Sequence, residues 1–211
     1  MTHRRGLRAL VGIAAASVFA LLLASGAASA HKFSFSNKTF RIMWSSLEIT
    51  PGQVRCPITL EGSFHSATIP KVFERLIGHV TRAISNSEAC IEGRVTFLQE
   101  ALPWHVTYSD FLDTLPLIRK IGVSLIRAAF QFESESVAFP CLTTSTAAHR
   151  IAGIFEIPIP ESHSITVYRL NETFGIPLTG MCALLGSAFL RGSGEVRVLG
   201  RVTSTISVFL I

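Results

Sequence analysis

RCPITLEGSFHSATIPKVFERLIGHVTRAISNSEAC, residues 55–90, is the stretch whose reading decides how the rest of the chain is arranged. Its first third alternates. Cys56, Ile58, Leu60, Gly62 and Phe64 fall on one side of a strand, with Thr59, Glu61, Ser63 and His65 on the other. The spacing then changes. Ile69, Val72, Phe73, Leu76, Ile77, Val80 and Ile84 recur at intervals of mainly three and four, with Lys71, Glu74, Arg75 and Arg82 mostly opposite, which predicts one amphipathic helix with a single apolar stripe. Thr68 suits its N-cap, and Pro70 its first turn, where a missing N–H costs nothing. The second cysteine, Cys90, then brings the chain back toward the strand of Cys56.

Outside this stretch the pattern is that of strands. Thr39 to Ile49 places Phe40, Ile42 and Trp44 on one face, and Pro51-Gly52 marks a turn. Arg94 to Gln99 and Leu102 to Ser109 alternate, the second with Pro103 at its start or edge. Ile118 to Glu133 fits either a helix or a strand, and its Phe-Gln-Phe end favours strand. Pro140 to Thr146, Ile151 to Ile157, Ser164 to Leu170 and Leu178 to Leu185 follow. The chain closes on a meander: Ala188 to Arg191, a Gly192-Ser193-Gly194 turn, Glu195 to Leu199 and Val202 to Ile211. In the last strand Phe209 and Ile211 lie opposite Ile206 and Val208, which predicts burial on both faces. The resulting fold class is mainly β: an antiparallel sandwich or barrel of about ten strands with one amphipathic helix packed on it.

The first thirty residues read as a secretory signal. Arg4, Arg5 and Arg8 precede an uncharged apolar run from Ala9 to Ala24, and Ala28-Ser29-Ala30 forms a small-residue cleavage site before His31. Cleavage between Ala30 and His31 leaves residues 31–211 as a single β-rich domain; an uncleaved leader is the one membrane attachment the sequence suggests. The formal charge of +5 falls to about +2 without the three leader arginines. No basic cluster is interleaved with aromatics, so nucleic-acid binding has no support.

Cys56, Cys90, Cys141 and Cys182 are an even set in an exported chain and imply two disulfides. Zinc binding needs close cysteine pairs, which are absent. Of the three possible connectivities, Cys56 with Cys90 and Cys141 with Cys182 is preferred, because the first pair ties the end of the expected helix to the strand before it.

Arg41-Ile42-Met43-Trp44, the run from Arg55 to Ser66 and Leu102-Pro103-Trp104-His105-Val106 resemble uncharacterised exported β-rich proteins of soil actinobacteria. The resemblance covers roughly Thr39 to Ile211. It implies an extracytoplasmic location and carries over neither an activity nor a catalytic residue.

The chemistry-bearing residues are thinly spread. His65 follows Glu61 on one strand, and His105 precedes Asp110 and Asp113, so a Ser/His/Asp hydrolase can be drawn on paper, but no G-x-S-x-G elbow supplies the serine. Glu133 and Glu135 are close in sequence only. No H-x-H or H-x-x-x-H spacing points to a metal, and no cofactor is implied. The two Asn-x-Thr sequons, at Asn37 and Asn171, bear on function only in a eukaryotic chain. Three classes follow in order: a secreted or cell-surface β-rich module that binds or supports a partner without catalysis; a secreted barrel holding a small apolar ligand; and an extracytoplasmic hydrolase. An outer-membrane barrel ranks below these, since the cysteines, the expected helix and the lack of aromatic girdles argue against it.

Overall fold

The computed structural model describes residues 32–112, 117–171, 175–201 and 203–211. The leader with Ala30 and His31 lies outside them, as do Asp113, Leu115, Pro116, Glu172, Thr173 and Val202. The described residues form sixteen strands in chain order: β1 (Lys32–Phe35), β2 (Thr39–Thr50), β3 (Val54–Phe64), β4 (Thr68–Pro70), β5 (Leu76–Ser85), β6 (Gly93–Phe97), β7 (Trp104–Phe111), β8 (Lys120–Ile126), β9 (Ala129–Ser134), β10 (Val137–Thr144), β11 (Ile151–Glu156), β12 (Ser164–Ile165), β13 (Val167–Asn171), β14 (Ile176–Thr179), β15 (Ser187–Arg197) and β16 (Ile206–Leu210). Among the described residues the helical segments are short 3-10 turns.

Eight of these strands close into an antiparallel barrel in the order β2–β3–β5–β7–β8–β11–β13–β15, and β13 and β15 pair at one seam, β15 and β2 at the next. Closure removes the unpaired edges that an open sheet leaves. From the start of β15 a second ribbon continues through β14, β10, β9 and β6. A smaller sheet, β12–β16–β1–β4, adds Phe33, Phe35, Ile69, Ile165 and Val208 to the same core. Its aromatics meet those of the barrel: Phe35 lies 4.6 Å from Phe64, and Phe33 6.1 Å from Tyr108.

The helix expected over Ile69 to Ile84 is not formed. This stretch is β4, a turn and β5. Two bulges explain why the sequence imitates a helix. The pairing of β5 with β3 slips between Glu61 and Gly62, and that with β7 slips between Leu76 and Gly78. Each slip adds a residue and resets which side chains face inward. The buried apolar residues of β5 are therefore Ile77, Val80 and Ala83, three apart, while Val72, Phe73, Leu76 and Ile84 are exposed. A period of three inside a strand reads as a helical stripe when the partners are unknown. Gly78, unfavourable by about 1 kcal/mol in a helix interior, pairs with Phe64 in the sheet.

A second expectation also fails. Gly192-Ser193-Gly194 is not a hairpin turn but the middle of the unbroken strand β15. The glycines make room for Trp44: a Cβ on Gly194 would stand 2.8 Å from its Cε2 atom. Leu178 to Leu185 is likewise only partly strand, since Gly180 to Leu185 winds into a 3-10 segment. Phe209 and Ile211 are exposed, because β16 belongs to the small sheet and buries only its Ile206 and Val208 face. The ambiguous run from Ile118 to Glu133 contains two strands, β8 and β9.

The structure joins Cys56 to Cys90 and Cys141 to Cys182, with Cα separations of 4.3 and 5.4 Å. The first bridge ties β3 to the segment entering β6, where Arg55 also pairs with Ile91, and not to the end of a helix. Spans of 34 and 41 residues each correspond to about 4 kcal/mol of lost unfolded-chain entropy.

Candidate functional site on the barrel wall

The barrel interior is filled. Phe40, Ile42 and Trp44 from β2, Ile58 and Leu60 from β3, Trp104 and Val106 from β7, and Tyr168 and Leu170 from β13 are all buried. The apolar void among Trp44, Ile58, Leu60, Trp104, Leu125 and Leu170 measures about 20 Å³, the room of about one water molecule. Small-molecule pockets usually run to about 300–1,000 Å³. The indole N–H groups of Trp44 and Trp104 are buried and have no hydrogen-bond partner among the described residues. Apolar inside and charged outside is the reverse of a transmembrane barrel, whose lumen is polar and whose outer band is apolar.

Chemistry-bearing side chains gather on the outer wall, where β3, β5 and β7 run side by side. Ser63 of β3 pairs with His79 of β5, and His79 pairs with His105 of β7. His65, two residues beyond Ser63, reaches the same patch diagonally, as outward residues two apart do on a sheet. The His65 and His79 ring centroids are 4.6 Å apart, and those of His79 and His105 are 5.3 Å apart. Partial burial pushes the His79 imidazole below the ordinary histidine range, and the neighbouring His65 and His105 push it further in that direction. A protonated central ring would carry its charge against two neighbours of the same kind.

One step along the same wall lies an ion-pair triad. Glu61, whose side chain is only 9 % exposed, accepts from Arg41 at 2.7 Å and from Arg82 at 3.4 Å. Both carboxylate oxygens are therefore engaged, and Glu61 is not free to act as a base toward His65. Farther round, Arg169 donates two hydrogen bonds to Glu156, at 3.0 and 2.9 Å, which hold its carboxyl below the usual carboxylate range.

Of the residues singled out in the sequence, His65 and His105 are brought into one cluster, and neither is hydrogen-bonded to a serine or a carboxylate among the described residues. Asp110 turns back on its own strand and accepts from the Phe111 amide at 2.7 Å. Glu133 pairs with Arg94 on the neighbouring strand, whereas Glu135 borders a shallow hollow with Glu92, Gln53 and Ser136. The residue that sequence reasoning missed is His79, the centre of the row, hidden by the helical reading of its segment. Among the described residues no group of three or more His, Cys, Asp or Glu side chains could hold a metal ion.

The second surface feature is apolar. The Cys141–Cys182 bridge anchors the 3-10 segment Gly180–Leu185, whose Met181 and Leu185 are exposed and whose Leu184 is 97 % exposed. No helix of the described residues is long and apolar enough to cross a membrane. The two disulfides fit an oxidising, extracytoplasmic location. Comparison with family models, curated proteins and solved structures finds no match for the chain.

Proposed function

We propose that the chain is a secreted or cell-surface binding module, exported by its N-terminal leader, in which the barrel is a non-catalytic scaffold and the outer wall meets the partner. The packed interior carries this reading. A void of about 20 Å³ takes away the main support for a barrel enclosing a small apolar ligand. The hydrolase reading gains no support either, because among the described residues the histidines of the wall have no serine or carboxylate partner, and Glu61 is locked between two arginines. The resemblance to exported proteins of soil actinobacteria and the two disulfides are consistent with this role outside the cytoplasm.

Native mass spectrometry of protein purified from its own source tests the proposal. The expected spectrum is that of a chain beginning at His31 with two disulfides and no bound organic molecule. A stoichiometric apolar organic ligand that survives purification would restore the ligand-holding barrel and overturn the reading.

A further inference from the structure

We propose that the row His65–His79–His105 is a proton-gated docking surface for an acidic polysaccharide. The proposal rests on the outer-wall reading and names a partner class for that wall. Three imidazoles stand side by side on one outer sheet face, His65 exposed and the other two half-buried. Histidine is the side chain whose charge changes between about pH 5 and pH 8. The same row is therefore a neutral surface at the upper end of that range and a line of cations at the lower end.

Little on the wall neutralises that charge. The strands packed about His79 carry Arg55 and Glu61 on β3, Arg82 on β5 and Asp110 on β7. Arg55 lies at the opposite end of β3, and Asp110 sits toward the far end of β7, where it accepts from the Phe111 amide. Glu61 is held by Arg41 and Arg82, so that triad adds net positive charge beside the row. Exposed basic residues also stand at the two ends. The Lys38 carbonyl accepts from the Phe64 amide, next to His65, and Arg127 follows Ile126, which pairs with His105. Burial and the two neighbouring rings hold the His79 pKa below the ordinary histidine value, so an anion laid along the row draws a proton onto its centre.

Spacing and surroundings choose the anion. Along an extended acidic peptide, carboxylates on one face recur every two residues, about 6.6 Å apart. The rings stand 4.6 and 5.3 Å apart, closer to the repeat of single sugar residues in a polyuronate chain. Ser63 and Thr39 continue the row across β3 and β2. A hydroxyl-bearing continuation suits a hydroxyl-rich polymer, whereas a lipid surface takes up apolar side chains beside the charges.

The test uses the folded, disulfide-intact chain and polygalacturonate oligomers, whose carboxylates stay ionised at the lower pH. Calorimetric titration at about pH 5 and at about pH 8 spans the histidine range. Binding is expected to be roughly tenfold tighter at the lower pH, the sum of three modest surface ion pairs. Repeating it in buffers of different ionisation enthalpy should show net proton uptake on binding. His79→Gln, His65→Gln and His105→Gln should each reduce the uptake and the pH dependence, and the three together should abolish them. His149→Gln and His163→Gln, outside the row, should leave both unchanged. The proposal is overturned if no oligomer binds at the lower pH, if affinity does not change with pH, or if the folded triple variant binds as wild type does. Equal or tighter binding to phosphatidylglycerol vesicles or to poly-glutamate would overturn the choice of polysaccharide. These results leave the native mass spectrum untouched, so the docking surface and the outer-wall reading can fail separately.

Discussion

Val80 and Leu76 sit four residues apart and separate a strand from a helix by substitution. In an amphipathic helix they share one buried stripe. In the barrel Val80 is 0 % exposed and faces the core, whereas Leu76 is 40 % exposed on the outside. Val80→Ala removes two carbons, worth about 1.6 kcal/mol of transfer at about 0.8 kcal/mol each. The partly collapsed cavity adds about 1 kcal/mol, for a loss of about 2.5–3 kcal/mol. A domain of this size loses about 2–4 °C per kcal/mol, so the midpoint should fall by about 5–12 °C. Leu76→Lys keeps a long aliphatic stem over the same surface and lets the ammonium reach water, so its cost should stay within about 0.5 kcal/mol. Thermal unfolding followed by circular dichroism, with the disulfides intact, measures both. A Leu76→Lys variant that melts as low as Val80→Ala would mean the two side chains face the same way, and the strand assignment would be wrong.

Two further perturbations bear on the wall. Gly62→Ala would put a Cβ 2.2 Å from the His79 carbonyl oxygen and 2.6 Å from the Phe40 ring. A backbone oxygen cannot swing aside, so we expect a loss at or above the upper end of the usual overpacking range, about 3 kcal/mol, in denaturant unfolding; a change below about 0.5 kcal/mol would count against the β3–β5 register. His79 also makes stability depend on pH. Its folded pKa is lowered from the ordinary 6.5 by burial and by His65 and His105, so on acidification the unfolded chain takes up a proton before the folded one does. Stability should therefore fall as pH drops through that range and level off below the lowered folded value. Arg82 on its own strand and Glu61 on β3 are paired with each other. His79→Gln should flatten this part of the pH profile; an unchanged slope would assign it to other groups.

The alternation of β2 and β3 was legible from the chain alone, because Thr39–Trp44 pair with Ile58–Ser63 without interruption and keep a period of two: Phe40, Ile42 and Trp44 on one strand, Ile58 and Leu60 on the next. The cysteine pairing was legible too, although the reason attached to Cys56 and Cys90 was not the right one. What could not be read was register. The bulges flanking Gly62 and Gly78 are set by partners 14 or more residues away, and they alone turn a period of two into a period of three. Two signals in the sequence pointed the other way: a glycine in the middle of the supposed helix, and the β-branched Val72, Ile77, Val80, Thr81 and Ile84. The histidine row was hidden for the same reason. His65, His79 and His105 are far apart along the chain, and their proximity exists only once β3, β5 and β7 are laid side by side. Gly192 and Gly194 misled in a different way, since a tryptophan lying against a strand asks for the same residue as a turn.

Nuclear Overhauser spectroscopy of isotopically labelled protein tests most directly whether residues 76–85 are barrel wall. Cross-strand backbone contacts should link Ser63 with His79 and His79 with His105. The closing seam should give the matching contact between Tyr168 and Gly194. A continuous series of sequential amide–amide contacts from Ile69 to Ile84, with no cross-strand contacts to β3 or β7, would restore the helix, open the barrel and disperse the histidines.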